Sequence, residues 1–223
     1  MTSAVLESCV IGVFARAPEP GRAKTRLIPR LGADAAAMLH SRLVRHAVET
    51  ALASDIGPVE LWCTPSASHP FFLGLAAEHR LKLRAQGEGD LGERMSTAFR
   101  FMLGSAARAV LIGTDCPART DQDLTEARAA FARGCDAVLG PVEDGGYHLI
   151  ALRRHESRLF AGVSWGTERV QAQTRLRLSA LGWRWHELPE RWDIDRPDDF
   201  ERLRTHPALA ALADGLGGHA LQP

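Results

Sequence analysis

The chain has 223 residues, 45% of them hydrophobic, enough for a continuous core in an α/β domain of this length. Lys plus Arg equals Asp plus Glu at 27 each, a balance that argues against a dedicated nucleic-acid binder, whose affinity rests on excess positive charge. Four scattered cysteines form no C-x-x-C pair and no apolar run is long enough to cross a bilayer, so the expectation is a soluble, cytoplasmic protein without a zinc or disulfide framework.

In chain order, the apolar run Cys9–Phe14 predicts a buried strand. It empties into a loop reaching Leu27 that carries two prolines, one glycine and the cations Arg16, Arg22, Lys24 and Arg26. Prolines hold such a loop extended, Gly21 allows close backbone approach, and the cations suit a polyanion such as phosphate. A solvated basic loop has the same composition. No glycine directly precedes Lys24 and the three glycines of a dinucleotide fingerprint are missing, which sets both motifs aside. Helix Ala33–Ala53 follows, with Ala37, Leu39, Leu43, Val44, Ala47 and Ala51 on one face. Next come strand Val59–Cys63, helix His69–His79 and strand Leu81–Ala85. The segment Gln86–Arg94 then enters helix Leu91–Ala107, either as a glycine-rich turn or with backbone N–H groups facing an anion.

Strand Ala109–Gly113 runs into Thr114-Asp115-Cys116-Pro117. Asp115 is a candidate ligand for Mg²⁺, which takes one or two protein carboxylates and completes its shell with water and phosphate; an Asx-turn before Pro117 is the alternative. Helix Asp121–Arg133 and strand Ala137–Val142 lead to Glu143-Asp144-Gly145-Gly146-Tyr147, which holds the only tyrosine. That segment reads as a hairpin turn or as a substrate-contacting loop. Strand Tyr147–Leu152, helix Thr167–Leu181 and strand Trp183–Glu187 complete the alternation, with Trp183 and Trp185 as packing residues and most of the scattered histidines at surface or partly buried positions. In Trp192-Asp193-Ile194-Asp195 the two acids share one side of an extended segment. Asp195 reads as a cap at or near the start of helix Pro197–Leu203, with metal ligation the alternative, and Asp193 is the choice for a second metal ligand. Residues 1–223 read as one domain whose tail frays after about His206.

Strands apolar on consecutive residues and alternating with helices predict a doubly wound, mostly parallel α/β layer sandwich. Ligands of such sheets sit beyond the C-terminal ends of the strands, where the cationic loop, Asp115 and the Asp144 loop all fall.

These segments together resemble GT-A-fold sugar and nucleotide transferases, in particular a bacterial group described as glycosyltransferases or radical-SAM/selenodomain-associated transferases. The resemblance is carried by Phe14–Leu27, Gly89-Asp-Leu-Gly-Glu-Arg-Met95, Ile112–Pro117, Gly140–Ile150 and Asp193-Ile-Asp195. More distantly the chain is similar to 2-phospholactate guanylyltransferase, molybdenum-cofactor guanylyltransferase and the cytidylyltransferase of the methylerythritol pathway. The resemblance implies a Rossmann-like GT-A sandwich, NTP phosphates on Lys24 and Arg26, Mg²⁺ (or Mn²⁺) on Asp115 and Asp193, and nucleotide contacts at Gly92 and Arg94. The group's usual Trp-Ser-Thr stands here as Trp165-Gly166-Thr167, a region implied to meet the acceptor, now without one hydroxyl.

Three readings follow. The first is nucleotidyl transfer from an NTP to a small acceptor, a phosphate or phosphonate oxygen among the candidates, with release of pyrophosphate. The second is glycosyl transfer from an NDP-sugar, with Asp144 or Glu143 as base. The third is a nucleotide-binding module without turnover. Many GT-A glycosyltransferases carry an Asp-x-Asp pair after the central strand; this chain has one acid there, Asp115, which favours the first reading. Gly145, Gly146 and Tyr147 are expected to touch substrate. Partners are the nucleotide and a small acceptor, with neither nucleic acid nor membrane, and a homodimer is the expected assembly.

Overall fold

A computed structural model of the chain describes residues 8–216. Among these residues seven strands form one sheet in the order β3-β2-β1-β4-β6-β5-β7. They are β1 (Cys9–Arg16), β2 (Val59–Thr64), β3 (Lys82–Ala85), β4 (Arg108–Ile112), β5 (Ala137–Pro141), β6 (Tyr147–Leu152) and β7 (Trp185–Glu187). All pairings are parallel except those of β6, which runs antiparallel to both β4 and β5. The reversal puts the start of β6 at the same sheet edge as the ends of its neighbours.

Among the described residues seven α-helices surround the sheet: α1 (Ile28–Leu31), α2 (Ala33–Ala53), α3 (Pro70–His79), α4 (Leu91–Met102), α5 (Asp121–Ala132), α6 (Val170–Ala180) and α7 (Pro197–Thr205). Side chains alternate between the two faces along each strand, so consecutive apolar residues serve two cores. Ile11 and Val13 of β1, with Val110 and Ile112 of β4, pack against α2 and α5 through Val44, Val48, Leu124 and Phe131. Val10, Ala109 and Leu111 face the other way, against Met95, Phe99 and Met102 of α4 and Leu178 of α6. Gly12 is needed on that second face, because a Cβ there would lie 2.8 Å from Leu111 and 3.0 Å from the Met102 sulfur.

A third cluster clasps the outer side of α2. Trp192, Ile194, Phe200 and Leu203 pack with Leu27, Leu39 and Leu43, and Ala213 and Leu216 extend it. The chain after His206 therefore does not fray through Leu216: a 3₁₀ turn at Ala210–Ala213 is tied down by Arg42, which donates to the Leu212 and Asp214 carbonyls at 3.1 and 2.7 Å. Residues 217–223 lie outside the described part. Element ends also shift. Helix α4 stops at Met102 because Leu103–Ser105 turn back on Phe99–Met102, and α6 starts at Val170 because the Thr167 hydroxyl closes a turn on the Ser164 carbonyl. No helix among the described residues is long and apolar enough to cross a membrane.

Candidate functional site

A crevice of about 800 Å³ opens along the sheet edge where β1, β2, β3 and β4 end and β6 begins. The loop after β1 supplies one wall, but it is not extended. Glu19–Ala23 form a turn, a 3₁₀ helix covers Thr25–Leu27, and α1 follows at once. Two apolar anchors force this shape, Ala23 at 1% exposure and Leu27 at 0%. Between them Lys24 takes the left-handed conformation, φ 48°, ψ 44°. Its ammonium turns inward to Asp115 Oδ1 at 2.5 Å, Asp195 Oδ1 at 3.3 Å and the Ile194 carbonyl. Burial alone would lower the Lys24 pKa; Asp115 and Asp195 outweigh it and raise it. Arg26 stays exposed and reaches the other Asp195 oxygen at 3.2 Å.

The acidic wall joins the end of β4 to the segment before α7. The Ile194 amide donates to the Asp115 carbonyl at 2.8 Å, a cross-link that sets Asp115 beside Asp193 and Asp195. From below, buried Arg119 donates to the Gly113 carbonyl at 2.9 Å and the His148 carbonyl at 3.3 Å, fixing the end of β4 against the start of β6. Burial would raise the Asp115 pKa, but the facing Lys24 lowers it. Asp193 has no such partner: burial first, then the Asp144, Asp195 and Asp115 charges, push its carboxyl up to about 7. Four carboxylates thus share a field that Lys24 only partly neutralises. Among the described residues no three His, Cys, Asp or Glu side chains form a ready cation cage. The donor set fits an ion that uses one or two carboxylates and takes its other ligands from water and phosphate.

The β5–β6 turn forms the far end. Asp144 is exposed there, and its Oδ1 accepts the Gly146 amide at 2.9 Å, so the segment is a hairpin turn that also borders the crevice. Tyr147 meets Trp165 edge to face at 6.3 Å between ring centres, and Thr167 lies alongside on the crevice wall. Glu143 points away, in a two-pronged pair with Arg202 at 2.8 and 3.1 Å, so it is not placed to act as base. On the β2–β3 side, Asp90 caps α4 through the Glu93 amide, Arg94 donates to the Gly89 carbonyl, and both border the crevice.

Of the expected residues, Arg16, Lys24, Arg26, Arg94, Asp115, Asp144, Gly146, Tyr147, Trp165 and Thr167 line this one crevice. Gly21, Gly92, Gly145 and Asp193 do not. Gly21 sits in the exposed Glu19–Arg22 turn. Gly92 is spent on packing, since a Cβ would fall 2.5 Å from Trp165 Nε1 and 2.7 Å from the Phe160 carbonyl. Gly145 lets the Glu168 backbone approach, and its carbonyl accepts the Gln171 amide at 2.9 Å. Asp195 is a correction: it is not the cap of α7. Asp199 takes that work, accepting the Asp195 and Arg196 amides at 3.0 and 2.7 Å, which releases Asp195 to face Lys24 and Arg26.

Three residues of the site carried no local sequence signal. His40, 5% exposed, bonds the Arg16 carbonyl at 3.0 Å; burial lowers its pKa and keeps the ring neutral. Gln86, 4% exposed, donates to the Ala15 and Trp62 carbonyls and ties the ends of β1 and β2 together. Arg119 is the third. His40 and His148, at 5% and 4% exposure, are core residues rather than surface ones. A second concavity of about 730 Å³, between α2, the 117–121 segment and the 190–209 region, contains none of the expected residues.

Solved structures share this fold. A protein from Desulfovibrio desulfuricans G20, provisionally named a nucleotide-diphospho-sugar transferase, is 29% identical with a TM-score of 0.82, covering 92% of this chain and 93% of its own. 4-Diphosphocytidyl-2C-methyl-D-erythritol synthase from Anaerococcus prevotii DSM 20548 is 7% identical, with a TM-score of 0.57 and coverage of 89% and 96%. Glucosyl-3-phosphoglycerate synthase from Mycobacterium tuberculosis, solved with Mn²⁺, UDP and glucosyl-3-phosphoglycerate, is 11% identical, with a TM-score of 0.55 and coverage of 96% and 83%. The last two likenesses are of fold alone. The chain has the GT-A-type layer sandwich, and these neighbours include nucleotidyl and glycosyl transferases. No curated protein matches it significantly. Residues 47–167 match DUF2064, described as an uncharacterized protein conserved in bacteria.

Proposed function

The chain belongs to the DUF2064 family of bacterial proteins, and from that premise we propose that it is a metal-dependent nucleotidyltransferase. It moves a nucleotidyl group from an NTP to a small acceptor and releases pyrophosphate. One observation carries the reading: Lys24 and Arg26 meet Asp115 and Asp195 across a single crevice at 2.5 to 3.3 Å. Charge of both signs at one strand edge is what phosphoryl chemistry requires, since its catalysis is positioning and neutralisation rather than covalent attack by the protein.

Arg26 and Arg16, exposed at the rim, bind the polyphosphate and orient it, and Lys24 stabilises the charge shed onto the leaving pyrophosphate. Asp115 would hold a divalent cation, which when bound neutralises phosphate oxygens, and Asp193, outside the crevice lining but close enough to feel the Asp115 charge, would be its second carboxylate. Gln86 and His40 keep the loop after β1 and the end of β2 in place, and Arg119 keeps Asp115 in place. Gly146, Tyr147, Trp165 and Thr167 bind the acceptor. An acceptor that arrives as an anion needs no base.

A second reading, glycosyl transfer from an NDP-sugar, is favoured by Asp144, an exposed carboxylate beside the Tyr147–Trp165 pair and so suited to take a hydroxyl proton. The name of the Desulfovibrio relative agrees with it. A panel of NTPs and NDP-sugars with Mg²⁺ or Mn²⁺, followed by phosphorus NMR, separates the two. Pyrophosphate supports the first; NDP or NMP with a new glycoside supports the second; no turnover together with undiminished metal-dependent nucleotide binding by Asp115→Ala would defeat both.

A further inference from the structure

The loop after β1 displays some cations and hides one. Side chains of Arg22 and Arg26 are 74% and 66% exposed, whereas that of Lys24 is 4% exposed. An ammonium has three donors. Three acceptors stand around this one, Asp115 Oδ1 at 2.5 Å, Asp195 Oδ1 at 3.3 Å and the Ile194 carbonyl. The backbone bends to allow it: Lys24 holds a left-handed conformation that side-chain-bearing residues avoid, between Ala23 and Leu27, which are both buried. A lysine that served only to catch phosphate would extend into the open crevice. This one is built into the acidic wall.

We propose that in the ligand-free protein Lys24 is the resident counter-ion of the carboxylates, so that the site takes up a divalent cation only together with a polyphosphate. The inference rests on the assignment of Asp115 to the metal made above. A free divalent ion approaching Asp115 must displace an ammonium whose alternatives inside the fold are poor, because a buried cation stripped of acceptors is strongly disfavoured. A polyphosphate removes that obstacle. Its oxygens accept from Lys24 as the lysine leaves Asp115 and Asp195, and they complete the shell of the incoming ion. Metal and polyphosphate then favour each other's binding, and the coupling is reciprocal. Lys24 thus has two stations, one on the carboxylates and one on the phosphates, and the ligand decides between them.

The test is Mn²⁺ binding to the full chain, followed by electron paramagnetic resonance of free and bound ion, without any nucleotide. Wild type is expected to bind Mn²⁺ weakly, and Lys24→Met and Lys24→Gln about tenfold or more tightly, within the usual range of coupling between sites. Asp115→Asn in the Lys24→Met background should abolish that gain. In wild type, inorganic pyrophosphate should raise the protein-bound Mn²⁺ signal beyond a protein-free control that corrects for Mn²⁺ held by pyrophosphate itself. This second measurement stands even where a Lys24 variant does not fold. Unchanged or weaker Mn²⁺ affinity in folded Lys24 variants, with Asp115→Asn still abolishing binding, overturns the counter-ion role and leaves the metal assignment intact. So does a wild-type signal indifferent to pyrophosphate. Mn²⁺ binding that ignores Asp115→Asn, or no binding in any protein with or without pyrophosphate, overturns the metal assignment and this inference with it.

Discussion

Asp123 and Asp115 both follow strand β4, and each meets a cation, but the two junctions are of different kinds. Asp123, with its side chain 4% exposed, receives both arms of Arg191 at 3.1 and 2.8 Å and also the Thr120 amide at 2.9 Å. Asp115 is half exposed and meets a single ammonium through one oxygen. Burial would raise the Asp123 pKa, and the Arg191 and Thr120 bonds outweigh it. A planar fork on a carboxylate is a fixed joint with several contacts to break, while an ammonium on a flexible stem is one charge that another cation can replace. The first junction holds the segment after β7 to α5. The second lies on the wall of the open crevice.

Breaking the second junction should show in chemistry. Asp115→Asn is expected to lower turnover of the substrate found in the NTP and NDP-sugar panel by about a thousandfold, the scale of losing a charge-stabilising group. Its melting temperature should stay within about 3 °C of wild type, which calorimetry checks. A variant that keeps a tenth of the activity would erase the distinction between the two junctions.

Breaking the first should show in stability. Arg191→Met leaves Asp123 buried and unpaired, at a cost of about 3 kcal/mol. For a chain of this size that is roughly 6–12 °C in melting temperature. Asp123→Asn added to Arg191→Met should recover part of the loss in urea unfolding, and turnover well below the transition should remain near wild type.

The same buried corner sets a pH limit. His148 is held neutral, its pKa lowered to about 3 by burial and by Arg119 and Arg191, against the pull of Asp123. The unfolded chain takes up a proton near 6.5, so stability is complete above that pH and is lost as pH falls towards 3. His148→Leu should therefore lose about 2 kcal/mol less than wild type between pH 7 and pH 4.5 in urea titrations. An equal loss in both proteins would remove His148 from the account.

Glu143→Gln should do least. Its pair with Arg202 is exposed, so stability should move by no more than about 0.5 kcal/mol and turnover should not change. A large fall in rate would return Glu143 to the list of bases.

Strand β6 and Asp195 show where the sequence is readable and where it is not. Strands β1, β2, β4, β5 and β6 stand out as mostly apolar runs, because both sheet faces are covered there and most of their residues are buried by one layer or the other, whereas the edge strands β3 and β7 carry polar residues and are exposed or half-buried. Asp-Gly-Gly before Tyr147 marks the reversal into β6. The meeting of Lys24 and Asp115 in one crevice was readable, because charge gathers there beyond strand ends. The site was misread at Asp195, because Asp-Arg-Pro-Asp is a sound helix-start pattern and only the fold reveals that Asp199 does the capping. Gln86, His40 and Arg119 gave no signal at all, since their partners are carbonyls of other strands and loops. A side chain that braces distant backbone leaves no periodic trace.

The antiparallel course of β6 bears on how this scaffold could acquire new specificities. Its turn, Glu143–Gly146, is the shortest link in the sheet and yet delivers Asp144 and Tyr147 to the crevice. Lengthening or rewriting that link would alter what the far end of the crevice accepts while leaving the strand ladders and the Lys24 side alone. On the proposed assignment, donor handling and acceptor choice are thus housed in separate, separately mutable parts of the chain, and libraries aimed at new products belong in those few residues.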